Sequence, residues 1–216
     1  MFDIIDLSCE IYDQSPVFDS DPKTFFKKYH TISSFGYNIM QLQMSSHIGT
    51  HVDAPYHFIE EGIEIENVDL NKFIGKASVL DFQHKKEGDY IGIDDLLKFK
   101  DKFIPGGKIL LRTDWGKHYP NEIFFKMFPQ LTIDAAEWIA ETGIELLGME
   151  TPSLNTKDYT AIHRTLLEKE IVILEGMTNI KAIPSDEAFL IALPLKIRHG
   201  DGSPVRAVAL CEKLNI

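Results

Sequence analysis

Cysteine is scarce in this sequence, and it forms no pattern typical of a disulfide framework or a metal site. The 216 residues include two cysteines, Cys9 and Cys211, at opposite ends of the chain. No pair is separated by two residues, so neither a disulfide framework nor a cysteine zinc site is indicated. We expect two reduced thiols, as is usual for a cytoplasmic protein.

Long apolar segments are also missing. The longest apolar run, from Ala188 to Pro194, is far shorter than the roughly 20 residues that span a bilayer as a helix. The first residues have neither a basic segment nor an apolar stretch after it, so no signal peptide is predicted. We therefore expect no membrane insertion and a cytoplasmic location.

Positive charge is outnumbered in this chain. Lys and Arg together number 22 against 33 Asp and Glu, which gives a net charge of −11. A surface of that sign repels phosphate backbones, and no basic run offsets it. This charge excludes nucleic acid as a partner. A glycine-rich phosphate loop after a predicted strand is also missing.

What is present is the composition of an ordinary globular protein. Apolar residues make up 44% of the chain and charged residues 25%, both typical of a packed domain. We predict one domain over residues 1–216. Pro16 and Pro22 stand among polar and aromatic residues, which predicts a long loop or extended arm over about residues 14–31.

Alternating and short apolar runs predict a sheet with a few helices. Helices are predicted over Ile93 to Lys100, Ile133 to Thr142 with Thr132 as N-cap, and Thr160 to Lys169. Because strands and helices do not alternate regularly, the fold class is α/β or α+β, and we favour α/β with a mixed β-sheet core and flanking helices over a doubly wound sheet. Strands are predicted over Phe2–Leu7, Tyr37–Met44, Ala77–Phe82, Lys108–Arg112, Ile144–Met149, Ile171–Glu175, Phe189–Leu195 and Val205–Cys211.

Three of the eight histidines fall within eleven residues. His51, Asp53 and His57 follow His47 at offsets of 4, 6 and 10. Even offsets place side chains on one face of an extended chain, and the glycine and proline inside the segment disfavour a helix. We predict a strand that runs into an irregular loop. Its imidazoles and carboxylate suit Zn²⁺ or Mn²⁺; the alternative is an exposed polar strand face.

His163 and Glu175 are candidate ligands from distant parts of the chain. Glu175 ends the apolar run 171–174, and His163 begins a helical segment. A buried glutamate is rare without a partner. A glutamate at a strand end that is already in solvent fits the spacing equally well, so the residues alone leave both interpretations open.

The segment from His47 to His57 resembles the signature of a known family. The signature His-x-Gly-Thr-His-x-Asp-x-Pro-x-His belongs to the cyclase-type metal-dependent hydrolases, which include bacterial kynurenine formamidases and isatin hydrolases. This chain matches all seven fixed positions of the eleven. Segments 15–18, 147–153 and 201–207 resemble the family's arm, its Gly-x-Asp-x-Pro-Ser segment and its closing segment.

The resemblance implies a swivelling β/β/α-type fold and hydrolysis of an amide or cyclic amide C–N bond by metal-activated water. It implies a small aromatic substrate, a homo-oligomer, and one or two divalent ions per chain, zinc in preference to manganese. It also implies roles for individual residues. The ligands of a first metal would be His47, His51 and Asp53, and Asp53 would bridge to a second metal held by His163 and Glu175. His57 would transfer protons, and Phe18 would contact the substrate.

The chain departs from the family pattern at a few positions. Asp19 and Ser20 follow Phe18 where the family usually has Pro-Gly, and Glu150 and Asn155 stand where Asp is common. These differences bear on the substrate more than on the chemistry.

Three alternative functions remain open. The protein could be an isatin- or lactone-type ring hydrolase, a non-catalytic metal-binding member of the family, or an interaction protein that binds its partner through the arm.

Overall fold

The computed structural model describes residues 2–212. Its helices are α1 (Ile32–Phe35), α2 (Ile93–Leu97), α3 (Ile123–Lys126), α4 (Ile133–Ala140) and α5 (Tyr159–Leu167). Its strands are β1 (Phe2–Asp6), β2 (Phe25–His30), β3 (Ile39–Gln43), β4 (His51–Asp53), β5 (Ile74–Asp81), β6 (Tyr90–Ile91), β7 (Lys108–Arg112), β8 (Gln130–Leu131), β9 (Leu146–Met149), β10 (Val172–Glu175), β11 (Glu187–Ile191), β12 (Gly202–Pro204) and β13 (Val208–Glu212).

A mixed sheet forms the core of the fold, as the sequence predicts. Over residues 2–212 it has nine strands in the order β1-β13-β11-β5-β7-β9-β10-β4-β12. The four central strands, β5, β7, β9 and β10, are parallel to their neighbours in that group. Antiparallel strands extend the sheet on both sides, and β1 pairs with β13, so the two ends of the described chain lie side by side.

Both faces of the central strands are covered. Leu110 on β7 packs into one apolar cluster, whereas its neighbours Ile109 and Leu111 pack into another on the opposite face. Helices α4 and α5 contribute to the second cluster through Ile139 and Leu166. Since successive strand residues point to opposite faces, this burial on both sides explains why the middle of β7, from Ile109 to Leu111, is apolar at successive positions.

Most predicted elements are confirmed within a few residues, and three bounds need correction. The arm is not a loop throughout, because the aromatic-rich segment Phe25–His30 forms β2 and pairs with β3. The last strand before the closing segment ends at Ile191, since Pro194 has no N–H to donate to a sheet. The helix from Ile93 ends at Leu97 and is followed by a 3₁₀ turn.

Strands β2 and β3 form a hairpin that carries many exposed apolar side chains. All five residues of β3 are exposed, including Met40 and Leu42, which are about half exposed. Phe25 on β2 and Phe35 in α1 are more than half exposed. Several exposed apolar side chains on one hairpin are typical of a contact surface for another protein chain.

No helix among the described residues is both long enough and apolar enough to cross a membrane. Cys9 and Cys211 are both free thiols.

Candidate active site

Two paired strands place three of the predicted ligands on one face of the sheet. Strand β4 runs antiparallel to β10, with His51 opposite Glu175 and Asp53 opposite Ile173. Directly opposed residues point to the same face of a sheet. His51, Asp53 and Glu175 are each at most 5% exposed, so the predicted solvent-exposed alternative for Glu175 is wrong in this structure.

The sequence prediction placed all four motif side chains on one strand face, and this is wrong for two of them. His47 lies in a turn before β4, and His57 lies in a 3₁₀ turn after it. Gly49 interrupts the extended backbone, because its φ of 59° lies in the left-handed region. The turns, rather than an even spacing along one strand, bring His47 back beside Asp53. The His47 Nδ1 and Asp53 Oδ1 atoms are 2.8 Å apart.

His163 reaches the same place from helix α5. Its Nδ1 lies 2.6 Å from the Tyr159 carbonyl oxygen. A carbonyl only accepts, so Nδ1 donates the hydrogen, and Nε2 faces Glu175 Oε1 at 3.3 Å. His51 is held in the same way, with its Nδ1 3.0 Å from the Gly49 carbonyl oxygen. In both rings Nε2 is thereby left free to act as a ligand.

Several buried acceptor atoms of His51, Asp53 and Glu175 lie close together. His51 Nε2 lies 3.5 Å from Asp53 Oδ1 and 3.5 Å from Glu175 Oε2. Asp53 Oδ2 is buried and has no hydrogen-bond partner among the described residues. One ligand atom each from His51, Asp53 and Glu175 lie within 4.8 Å of one another. Such a set of imidazole nitrogens and carboxylate oxygens fits a divalent cation, which would satisfy all of them.

The electrostatics of the cluster also favour a cation. Burial alone would lower the pKa of His47, but the carboxylates of Asp53 and Asp201 outweigh it and raise that pKa to about 10. Burial would raise the pKa of Asp53, but the neighbouring histidines hold it well below its usual range. The negative charge that retains a proton on His47 would equally attract a metal ion.

His57 stands beside this cluster and is more exposed than the other histidines in it. Its ring stacks on that of His47 with centroids 3.9 Å apart, and its side chain is 28% exposed. His47, Asp53 and His57 form a second group whose ligand atoms lie within 4.8 Å of one another. The position therefore allows either metal ligation or proton transfer.

Asp201 is a site residue that the sequence analysis did not single out. One carboxylate oxygen, Oδ2, lies 2.9 Å from His47 Nε2 and 3.6 Å from His57 Nδ1. The other, Oδ1, accepts a hydrogen bond from Ser46 at 2.8 Å. In the sequence, Asp201 belongs to the segment 201–207, which resembles the family's closing segment. That resemblance did not imply a role for Asp201.

A cavity of about 490 Å³ opens onto the histidines. Phe18 lines it, and its ring meets Phe125 edge-on with centroids 5.2 Å apart. Neither a lysine nor an arginine is among the described residues that line it. The residues that line the cavity are Phe18, Ser20, Asp21, His47, His51, His57, Phe58, Pro152, Ser153, Asn155, Thr156, Tyr159, His163 and Glu175.

Several of these lining residues escaped the sequence analysis. Phe58 stacks on His163 with centroids 4.6 Å apart, and Tyr159 faces Phe58 edge-on. Both flank the predicted residues in sequence, but nothing in their spacing distinguishes a wall residue from a core one. Two other aromatic residues, Phe25 and Trp115, do not line the cavity. Trp115 is 4% exposed and packs in an aromatic core cluster.

Two of the departures from the family pattern, Glu150 and Asn155, stand where Asp is common and have different structural roles. The Glu150 carboxylate is fully buried and accepts backbone N–H groups of Thr113, Asp114 and Ile180, which ties together loops at the ends of neighbouring strands. Asn155 lines the cavity, and its side-chain oxygen accepts from the backbone at the start of α5. Asn155 is therefore the one that a substrate can meet.

Comparison with known proteins agrees with this geometry. The chain is 34% identical over 206 residues to a kynurenine formamidase of Geobacillus thermodenitrificans, covering 94% of this chain and 95% of the relative. Its structure matches an isatin hydrolase bound to the product analogue thioisatinate, with a TM-score of 0.90, 24% identity, and coverage of 98% and 93% of the two chains. It also matches a structure described as a potential metal-dependent hydrolase with cyclase activity, with a TM-score of 0.82, 26% identity, and coverage of 99% and 100%.

The signature segment lies inside the part of the chain that matches a family model. Residues 5–156 match the model described as putative cyclase. They include His47, His51, Asp53 and His57, while His163 and Glu175 follow shortly after. With more than half of its length matched and the fold shared throughout, the chain belongs to the cyclase family of metal-dependent hydrolases.

Proposed function

We propose that this protein is a metal-dependent amidohydrolase that cleaves the C–N bond of an aryl formamide. The observation that carries the proposal is the buried cluster of acceptor atoms from His51, Asp53, Glu175 and His163, which opens onto a cavity beside the more exposed His57. The relative from Geobacillus, similar over nearly the whole chain, is named a kynurenine formamidase. N-Formylkynurenine is accordingly the first substrate to test.

The residues fit one or two divalent ions. We assign His47, His51, Asp53, His163 and Glu175 as the ligands, with Asp53 between two positions, because its Oδ1 faces His47 and its Oδ2 faces His163 at 3.7 Å. We propose zinc, which suits a set of imidazoles and carboxylates; manganese accepts the same donors. When bound, such an ion lowers the pKa of a water from about 15.7 towards 7 and polarises a carbonyl oxygen.

The protein residues then move the proton and hold the substrate. Water adds its oxygen to the formyl carbon, the C–N bond breaks, and formate and the free arylamine leave. We assign His57 the transfer of a proton from the water to the departing nitrogen, because an imidazole can both accept and donate a proton and this ring borders the cavity.

The cavity walls suit a planar aromatic substrate. Phe18, Phe58 and Tyr159 contribute aromatic rings to the lining, and rings of this kind pack edge-on or offset against an aryl group. Asp21 lines the same cavity without a lysine or arginine among the described lining residues. The lining therefore favours a substrate whose remote end is neutral or positively charged.

The exposed hairpin of β2 and β3 supports a homo-oligomer. We propose that a second copy of this chain covers its exposed apolar side chains. The mass of the purified protein in solution tests it, because a monomer at micromolar concentration would contradict it. The two free thiols support a reducing, cytoplasmic location.

The decisive experiment measures metal content and hydrolysis on the same preparation. We expect one or two zinc ions per chain, release of kynurenine from N-formylkynurenine, loss of that activity with a chelator, and recovery when zinc is added back. Isatin and an aryl lactone serve as competing substrates. Faster turnover of either would overturn the formamide assignment, and a zinc-loaded protein inert towards all three would favour a binding module.

A further inference from the structure

Asp201 is held rigidly against the candidate metal centre. Its backbone carbonyl accepts a hydrogen bond from Ala54 N at 3.0 Å, and the next residue, Gly202, pairs with Asp53 in the sheet. A Cβ atom at Gly202 would lie 2.8 Å from His47 Cε1, so the backbone here packs directly on the His47 ring. The position of Asp201 is thus set by the strands that position the ligands.

The Asp201 side chain contacts two histidines with different assigned roles. Oδ2 lies 2.9 Å from His47 Nε2, a hydrogen-bond distance, and 3.6 Å from His57 Nδ1, a longer ion-pair contact. Oδ1 accepts from Ser46 at 2.8 Å, which fixes the plane of the carboxylate. Asp201 is absent from the described residues that line the cavity.

Because a carboxylate accepts hydrogen bonds, its contacts select ring orientations. With Nε2–H of His47 directed to Asp201, the other nitrogen, Nδ1, faces Asp53 Oδ1 at 2.8 Å, towards the candidate metal position. This is the carboxylate–histidine–metal arrangement that sets a ligand's tautomer and orientation. The same oxygen is nearest to Nδ1 of His57, which leaves Nε2 of that ring for proton transfer.

We propose that Asp201 is a positioning residue that orients His47 for the metal and His57 for proton transfer. The proposal rests on the roles assigned above to these two histidines. One carboxylate oxygen thereby couples the ligand to the proton carrier, whose rings already stack at 3.9 Å. Partners of this kind commonly change metal affinity or activity by about 10- to 100-fold when removed.

The test compares Asp201→Ala and Asp201→Asn with a matched control. Asp6 has similar exposure, 46% against 40% for Asp201, and also makes an ion pair, with Arg206 at 2.6 Å. Asp6→Asn therefore reports what losing a half-exposed aspartate ion pair does by itself. Thermal unfolding of each variant checks that it is folded, and Asp201→Asn keeps the shape of the side chain if the alanine variant fails to fold.

Three measurements follow on each variant. Zinc affinity of the metal-free protein is measured by competition with a chelator, and kcat and KM for N-formylkynurenine are measured at saturating zinc. The tautomer of His57 is read from the ¹⁵N shifts of its imidazole. We expect Asp201→Ala to bind zinc about 10- to 100-fold more weakly and to lose kcat by a similar factor. KM should stay within about two-fold, because Asp201 does not line the cavity.

We expect Asp201→Asn to fall between wild type and Asp201→Ala, since its amide oxygen still accepts from His47. His57 should lose its single tautomer in Asp201→Ala, while Asp6→Asn matches wild type throughout. Unchanged zinc affinity and kcat in Asp201→Ala, or a change in KM alone, would overturn the proposal. If wild type binds zinc but does not hydrolyse the formamide, the proposed function fails, while zinc affinity and the imidazole shifts still decide the role of Asp201.

Discussion

His51 and Glu175 face each other across β4 and β10, with Nε2 and Oε2 3.5 Å apart on the buried side of the sheet. In a neutral His51 ring, the Gly49 carbonyl holds the single proton on Nδ1, so neither Nε2 nor the ionised Oε2 of Glu175 has a hydrogen to donate. Two opposed acceptors in a buried site are unfavourable unless a cation lies between them. This pair therefore marks the place where the metal is expected.

Replacing Glu175 by glutamine tests this directly. The amide has nearly the same shape but no charge, so we expect zinc affinity to fall at least tenfold and activity to fall with it. Equilibrium dialysis against a zinc buffer measures the affinity. Glu168→Gln is the control, because Glu168 is 52% exposed and pairs with Arg164 away from the cavity. Equal zinc affinity in Glu175→Gln and wild type would remove Glu175 from the ligand set.

His57→Ala separates proton transfer from metal binding. If His57 carries the proton, the variant should keep the zinc content of wild type while kcat falls by roughly 10²–10⁴. Elemental analysis and turnover of N-formylkynurenine on the same sample give both quantities. His84→Ala, a change at an exposed histidine outside the cavity lining, should alter neither. Loss of zinc in His57→Ala would instead make His57 a ligand.

Phe18→Ala tests the aromatic wall of the cavity. Removing the ring takes away an edge-on or stacking partner for an aryl substrate, worth about 0.5–1.5 kcal/mol beyond its buried area. We expect KM for N-formylkynurenine to rise about tenfold with kcat changed less. Phe189→Ala on β11, where Phe189 is 41% exposed, serves as the control. An unchanged KM in Phe18→Ala would mean that the substrate does not contact Phe18.

The strands and the near-sequence cluster could be predicted because their signals are local. Strand β7 occupies the predicted residues Lys108–Arg112, with the apolar run from Ile109 to Leu111 at its centre and two glycines directly before it. His51 and Asp53 share a face because they are two residues apart on one strand. The spacing of residue types in the sequence is sufficient to predict these parts of the structure.

The remainder depends on contacts between distant parts of the chain. Whether Glu175 is buried is decided by its pairing with β4, more than a hundred positions away in the sequence. Asp201 meets His47 because β12 adds to the edge of β4. His47 returns to Asp53 through the positive φ of Gly49 and not through strand parity. Pairing order and turn geometry of this kind leave no periodic trace in one sequence.

Asp95 gives a pH-dependent prediction away from the site. Partial burial would raise the pKa of Asp95, but Lys85, at 2.5 Å, and Lys98, at 3.1 Å, outweigh it and lower that pKa to about 2. A carboxyl whose pKa is depressed by folding stabilises the protein above its unfolded pKa, and the contribution disappears as pH falls through the folded value.

We therefore expect Asp95→Asn to lower the free energy of unfolding by about 1 kcal/mol at pH 7. The difference from wild type should shrink as pH falls from 3.8 towards 2. Urea unfolding over this range measures it. Asp94→Asn, which removes the same charge one residue earlier in α2, is the comparison. A difference that does not depend on pH would contradict the ion pairs as its cause.

Removing the metal should destabilise the fold as well as abolish activity. Without a cation, the buried carboxylates of Asp53 and Glu175 keep their negative charge close together, and Asp53 Oδ2 has no hydrogen bond among the described residues. Free zinc at a thousand times its Kd would stabilise the folded protein by about 4 kcal/mol. For a chain of this length, that corresponds to a rise in Tm of about 8–16 °C. Calorimetry with chelator and then with zinc measures the shift. Asp53→Asn should lose most of it, since Asp53 faces both proposed positions; a full shift in that variant would place the zinc elsewhere.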